Sequence, residues 1–344
     1  MGHEKNVWFF DEGMIPPSSS TFHKAVNLAA LAGRRISVPP GFTLEFDSES
    51  RNSRSGLPDS LLDTASAALA SLEHRMGRRF ADPANPLLLA VRAADDTAAS
   101  GASRGILNLG LNDEIAESLV ALTGKPRFVY DCYRRFLTGF AHAVLGVAIH
   151  FEPCVSRLTS VTGELGGADE LRRQCDLIRT HVRIKSGREI PRTPADQLEM
   201  ALDSVGKLSR SSRPAAAIVQ IMVFGNMGRD CGSGIAWTRN PATGLREIGG
   251  VYLREAQGED LNGHQRPALR LSQIEDEDER VGRQLRSIRA IFERFAGSDI
   301  QFDFTVESGK VYVLGWRIAP AVVPRFVLAS AKGGRCTADN IRVA

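Results

Sequence analysis

At 344 residues, 43% of them hydrophobic, the chain is long enough to bury a substantial core in two or three lobes. Its 43 Lys and Arg so nearly balance its 40 Asp and Glu that the net charge is only +3, too small to argue for nucleic acid or an anionic membrane, and no run of like charges supplies a basic patch. The five cysteines, Cys132, Cys154, Cys175, Cys231 and Cys336, are odd in number and form no C-x-x-C pair, so neither a disulfide framework nor a zinc site is expected. No apolar run reaches the length of a bilayer span and residues 1–13 carry no signal-peptide core, so a cytoplasmic setting without membrane contact is the expectation.

In chain order, strand-like runs at 7–10, 36–38 and 88–91 alternate with helical periodicity at 23–32 and 61–76, which predicts a mixed α/β lobe over residues 1–105. From 106 to 208 the pattern turns mainly helical. Asn112 and Asp113 supply cap chemistry for a helix that Gly124 ends, 130–147 and 169–182 carry helical spacing, and Thr193 followed by Pro194 opens another helix. The polar stretch 207–214 reads as a linker. Over 209–344 strands dominate, at 216–223, 234–238, 247–253, 302–306 and 310–314, the last two joined by a Ser-Gly turn, with one long amphipathic helix at 275–295. The fold class expected is α+β, in several lobes with a helical insert.

The densest motif is QIMVFGNMGRDCGSGIAWTRNPATG, residues 220–244, two strand-like runs around a loop with Gly225, Gly228, Gly232 and Gly234. Backbone N–H groups of such a loop can close on an anion, so it reads as a lid over nucleotide phosphates; plain hairpin turn chemistry explains the same spacing. The segment resembles the glycine-rich loop in the N-terminal nucleotide-binding domain of the pyruvate phosphate dikinase family, an ATP-grasp-like domain. The resemblance recurs in the family's order along nearly the whole chain. It is carried by HKAVNLAALAGRRISVPPGFTL (23–44), NPLLLAVRAADD (85–96), ILNLGLNDEIAESLVALTGKPRFVYDCYRRF (106–136), YLREAQGED (252–260) and FDFTVESGKVYVLGWR (302–317).

That resemblance implies ATP as ligand and a role for each matching position. Lys24, Arg92 and Arg317 would neutralise the phosphates, Arg92 and Arg317 being the candidate catalytic cations, and Arg135 would add a further phosphate contact. The bland alternatives are a solvated lysine at a helix start, a structural ion pair for Arg92 and a helix-surface charge for Arg135. Gln220, Met222 and Val223 would lie along the adenine, Gly225, Gly232 and Gly234 would close over the phosphates, and Glu259 and Asp260, beside Gln257, would approach the ribose. Mg²⁺ would fall to Gln301 and Asp303. Here the sequence departs from the family, because Gln301 aligns with an aspartate, Asp303 with a glutamate and Gly315 with a glutamine. An amide for a carboxylate, a shortened acid and a bare backbone weaken a site that wants hard anionic oxygens, so Mg²⁺ binding is expected to be weak. Phe22-His23 also replaces a Gly-Gly pair before Lys24, and AASGASRG (98–105) replaces a methionine-rich loop.

The family's phosphohistidine and pyruvate-binding parts have no counterpart before Ala344, and none of His3, His23, His74, His142, His150, His181 and His264 stands in the family's phosphohistidine context. Two functions follow from the resemblance. One is a phosphotransferase, a kinase passing a phosphoryl group from ATP to a histidine on a separate phosphohistidine-domain protein. The other is a degenerate nucleotide-binding module without turnover, acting as a sensor or partner.

Overall fold

The computed structural model describes residues 6–15, 22–46, 56–94, 105–149, 167–208, 215–240, 245–262, 267–319, 327–329 and 335–337. The contacts divide the chain into two units, Met1–Ala29 with Pro40–Met222, and Ala30–Pro39 with Val223–Ala344. Each unit contains a five-stranded sheet, antiparallel at every pairing. Helices and antiparallel sheets together make the α+β architecture expected from the sequence.

In the first unit the sheet runs β1 (Val7–Phe9), β2 (Gly41–Phe46), β5 (Ala215–Ile221), β3 (Leu89–Ala93), β4 (Ile106–Leu109) across its width. The central strand is β5, whose sequence AAAIVQI is buried at six of its seven positions. A run apolar on both faces has to sit between neighbours that cover it, so β5 belongs to this sheet and not to the C-terminal lobe expected to start at 209. The other elements of this region are helices: α1 (His23–Ala32), α2 (Asp59–Met76), α3 (Asp113–Thr123), α4 (Pro126–Leu145), α5 (Ala168–Ser186) and α6 (Pro194–Leu208). Local chemistry sets several of their ends. Asn112 Oδ1 accepts from Ile115 N at 2.8 Å at the start of α3, and Gly124, with φ +65°, ends it. Thr193 Oγ1 accepts from Asp196 N at 3.3 Å ahead of Pro194, so α6 opens as its Thr-Pro pair indicates. Helix α6 runs on to Leu208, into the stretch expected to be linker; 209–214 lie outside the described residues.

In the second unit the sheet order is β10 (Lys310–Ile318), β9 (Ile300–Glu307), β6 (Gly232–Trp237), β7 (Gly249–Arg254), β8 (Leu269–Arg270). A separate pair, β11 (Val327–Ala329) and β12 (Arg335–Thr337), completes its strands. The β9–β10 turn has positive φ at both central residues, Ser308 (+49°) and Gly309 (+73°), the hairpin geometry that matches strand twist. The single helix expected over 275–295 is two helices here, α7 (Leu271–Glu277) and α8 (Glu279–Phe295), because Asp278 leaves helical geometry and its carboxylate accepts from Arg280 N and Val281 N. Helix α8 buries Val281, Leu285, Ile288 and Phe292 at helical spacing, and Phe292 stacks on Phe302 of β9 at 5.2 Å. The run 36–38 is no strand of its own: its one ladder-like bond is Ser37 O accepting from Val313 N at 2.9 Å. Pro39 and Pro40 have no N–H to give a ladder, and regular pairing starts only at Gly41.

Candidate functional site

In the first unit the candidate groups gather where β3 ends. Lys24 N donates to Ala94 O at 3.2 Å, pinning the start of α1 to the chain two residues beyond Arg92. Arg92 lies on β3 beside β5, and its Nη2 donates to Gln220 Oε1 at 2.9 Å. The guanidinium is half-buried, while Gln220 is only 4% exposed. A neutral amide can orient a guanidinium without cancelling its charge, which a carboxylate would do. Gly105 is packed against Arg92: a Cβ there would lie 3.1 Å from that of Arg92. Met222 N donates to Leu88 O at 2.9 Å, so this residue continues the pairing of β5 at its end. Arg135 is placed differently. Its Nε donates to Asp131 Oδ2 at 2.9 Å, one turn back on α4, and Arg134 Nη2 takes Asp131 Oδ1 at 2.9 Å. Burial pushes the Asp131 carboxyl up, but the Arg135 and Arg134 guanidiniums outweigh it and hold it at about 2. The geometry of Arg135 is thus that of a helix ion pair.

In the second unit the glycine motif splits in two. Gly232 and Gly234 lie within β6, not in the loop, and packing accounts for both. A Cβ on Gly232 would strike the Tyr252 ring and come within 2.6 Å of Leu253 O; one on Gly234 would strike Phe304 and come within 2.7 Å of Val251 O. Gly225 remains in the loop, where a Cβ would meet the Ala256 carbonyl and Ser233 Oγ at 2.7 Å. The loop is fastened at both ends. Phe224 N donates to Glu307 Oε1 at 3.0 Å and Ala256 N to Gly225 O at 2.9 Å; at the far end Glu255 N donates to Cys231 O at 2.9 Å and Gly309 N to Asp230 O at 3.1 Å. Burial pushes the Cys231 thiol up, so it stays protonated while Ser308 N donates to its sulfur at 3.4 Å. Gln257, 4% exposed, donates from Nε2 to Asn226 Oδ1 at 3.1 Å and so ties the loop to the AQGED segment. In that segment Asp260 Oδ2 accepts from Gln257 N at 2.9 Å and closes a short 3₁₀ turn, while Glu259 is exposed. Asn226 and Glu307 were not legible as loop anchors, since each acts on a residue distant in sequence.

The β9–β10 hairpin assembles the remaining candidates on one face. Gln301 and Asp303 are two apart on β9, and their cross-strand partners on β10 are Arg317 and Gly315. With its amide oxygen turned to the guanidinium, Gln301 accepts from Arg317 Nη2 at 2.5 Å and from Nε at 3.3 Å. Gln301 is 1% exposed, whereas Asp303 and Arg317 are exposed. A bulge falls between Val313 and Gly315, opposite Phe304 and Asp303, and re-aims β10 there. Among the described residues a Cβ on Gly315 would meet nothing within 4 Å. On the neighbouring strand β6, Ile235 and Trp237 pair with Asp303 and Gln301 and belong to a buried apolar cluster with Val251, Leu253 and Leu261. These residues do not fit a Mg²⁺ ion held between protein and phosphate. Such an ion wants several hard oxygens in near-octahedral array; positions 301, 303 and 315 offer one carboxylate, an amide oxygen committed to an arginine and a glycine, and Glu307, further along this face, accepts from Phe224 N. Among the described residues no group of three or more His, Cys, Asp and Glu is placed to hold a metal.

The class defined here is a two-unit α+β domain in which arginines on strands are each oriented by a glutamine amide. No family model matches the chain. It is 33% identical to pyruvate, phosphate dikinase of Clostridium symbiosum, over 93% of this chain and 40% of that protein. The match to pyruvate, phosphate dikinase of Giardia intestinalis is also 33%, over 92% of this chain and 39% of the relative, and that to the chloroplastic pyruvate, phosphate dikinase 1 of Arabidopsis thaliana is 33%, over 91% and 35%. The chain belongs with the N-terminal part of the pyruvate, phosphate dikinase family and spans about two-fifths of the length of those relatives. Among the described residues no helix is long and apolar enough to cross a membrane.

Proposed function

We propose that the chain is an ATP-binding domain of ATP-grasp type that holds nucleotide without turning it over, acting as a sensor or as the partner of another protein. The observation that carries this reading is the β9–β10 hairpin, which presents Arg317, oriented by Gln301, beside one exposed carboxylate, Asp303, the face's other carboxylate, Glu307, being engaged by Phe224 N. Such a face attracts phosphate and holds a catalytic metal poorly. In this reading Lys24 and Arg92 of the first unit and Arg317 of the second are phosphate ligands. Gln220, Met222 and Val223 lie along the adenine, the loop at Gly225 covers the phosphates, and Glu259 and Asp260 serve the ribose. Titration calorimetry with ATP tests it directly: saturable binding supports the reading, and its absence at millimolar ATP rejects it.

The second reading, transfer of a phosphoryl group from ATP to a histidine on a separate protein, is favoured by the kinship with pyruvate, phosphate dikinase. It needs a metal or an equivalent charge at the position where Gln301 and Gly315 stand. Arg135 is a weaker candidate in either reading, because Asp131 holds its guanidinium.

A further inference from the structure

We propose that the hairpin binds the phosphate chain directly through Arg317 and takes the metal-free nucleotide, so that divalent cation adds nothing to affinity. This rests on the ATP-binding reading above. The argument begins with charge. Asp303 and Arg317 cancel, as do Glu307 and its cross-strand neighbour Lys310 at the turn end, and Gln301 and Gly315 contribute none, so this face of β9–β10 carries no net negative charge. A face with two carboxylates against one arginine would repel a polyphosphate until a cation bridged them; this face has no such debt. The second step is orientation. Gln301 is 1% exposed and fixed in a central part of the sheet, and by accepting from both Nη2 and Nε it holds the guanidinium along one edge. The other edge of the Arg317 fork keeps donors for a phosphate oxygen. A carboxylate beside the guanidinium would also neutralise the arginine. The third step is space. Among the described residues nothing lies within 4 Å of a Cβ at Gly315, so the hairpin leaves room there for a phosphate group. The amide, the open glycine and the bulge beneath it therefore act together: the protein's own cation takes the place of the metal.

The test is ATP binding by calorimetry in EDTA and in excess Mg²⁺, on the wild-type chain and on three variants. Wild-type affinity should agree within about threefold between the two conditions. Arg317→Gln should weaken binding in EDTA by about tenfold or more, the loss expected for a charge-assisted hydrogen bond, while circular dichroism stays unchanged. Gln301→Asp should weaken EDTA binding similarly, because the new carboxylate claims the guanidinium. The triple variant Gln301→Asp, Asp303→Glu, Gly315→Gln should regain affinity in Mg²⁺ and not in EDTA. Wild-type binding that strengthens tenfold or more with Mg²⁺ overturns this proposal and leaves the ATP-binding reading intact. Metal-independent binding that Arg317→Gln does not change also overturns it, since other cations then hold the phosphates. Absence of ATP binding in both conditions rejects the ATP-binding reading and this proposal with it.

Discussion

Arg92 and Gln220 show how a side-chain amide orients a guanidinium. A half-buried guanidinium needs partners, and Gln220 Oε1 accepts from Arg92 Nη2 at 2.9 Å without adding a charge of its own. Lys24→Ala and Arg92→Ala should each weaken ATP binding by about 1–3 kcal/mol, the range for hydrogen bonds to charged groups. Calorimetry on both variants checks this, and unchanged affinity in both would remove these two cations from the site. Glycines give a second contrast at this scale. Gly234 has a phenylalanine ring and a carbonyl where a Cβ would go, so Gly234→Ala should lower stability by about 1–3 kcal/mol. Gly315 faces open space at ordinary φ, so Gly315→Ala should be neutral or raise stability by roughly 0.5 kcal/mol. Urea midpoints for the two variants should therefore move differently; equal losses would mean that Gly315 is also a packing position.

At the scale of elements, α4 owes part of its stability to Asp131. Its carboxyl is held at about 2, below the ordinary carboxylate value near 4, so the folded state binds a proton less readily than the unfolded chain. The stabilisation is complete above that ordinary value and is lost as pH falls through about 2. Asp131→Asn should cost about 2 kcal/mol at neutral pH, and the gap to wild type should close towards the acid limit. Denaturant unfolding of both proteins, at neutral pH and again in strong acid, reads this; a pH-independent gap would mean that packing, not charge, holds the turn. The same scale shows what the sequence made legible. Asn112, Gly124, Thr193 and the Ser308-Gly309 turn act on neighbours within a few residues, so their chemistry predicts helix ends and a hairpin that the structure has. Asp278 could have been read as a break in the long helix, being a capping residue inside an acidic run, but periodicity on both sides masked it. The membership of β5 was not legible, because its neighbours β2 and β3 lie more than a hundred residues before it and only tertiary pairing selects them. For the same reason the amide partners of Arg92 and Arg317 were not foreseen. Sequence reasoning sets Gln220 along the adenine and Gln301 at the metal; the structure adds that the amide oxygen of each meets an arginine.

For the whole molecule, the question is whether binding is followed by chemistry. Phosphoryl transfer depends almost entirely on positioning and charge neutralisation, and one lost charge-stabilising contact costs ~3 kcal/mol, or about a hundredfold in rate. Two positions of the hairpin, Gln301 and Gly315, lack the groups that a metal would need. With ATP, Mg²⁺ and a histidine-bearing acceptor domain supplied, the chain should release no AMP or phosphate above background. Adding carboxylate at 301, reach at 303 and an amide at 315 should improve Mg²⁺-dependent ATP binding without restoring full turnover, because a metal without a matching phosphate pose contributes little. Helix α1 adds a second obstacle, for Phe22 is wholly buried in front of Lys24 where a glycine would leave the backbone free to approach phosphate. Thin-layer analysis of radiolabelled ATP and of the acceptor histidine separates the two readings. Robust labelling of the acceptor by the unmodified chain would establish a working phosphotransferase and show that Arg317 and its amide can do what the metal was thought necessary for. No labelling, with ATP binding retained, leaves a domain that senses nucleotide through its own fixed charges.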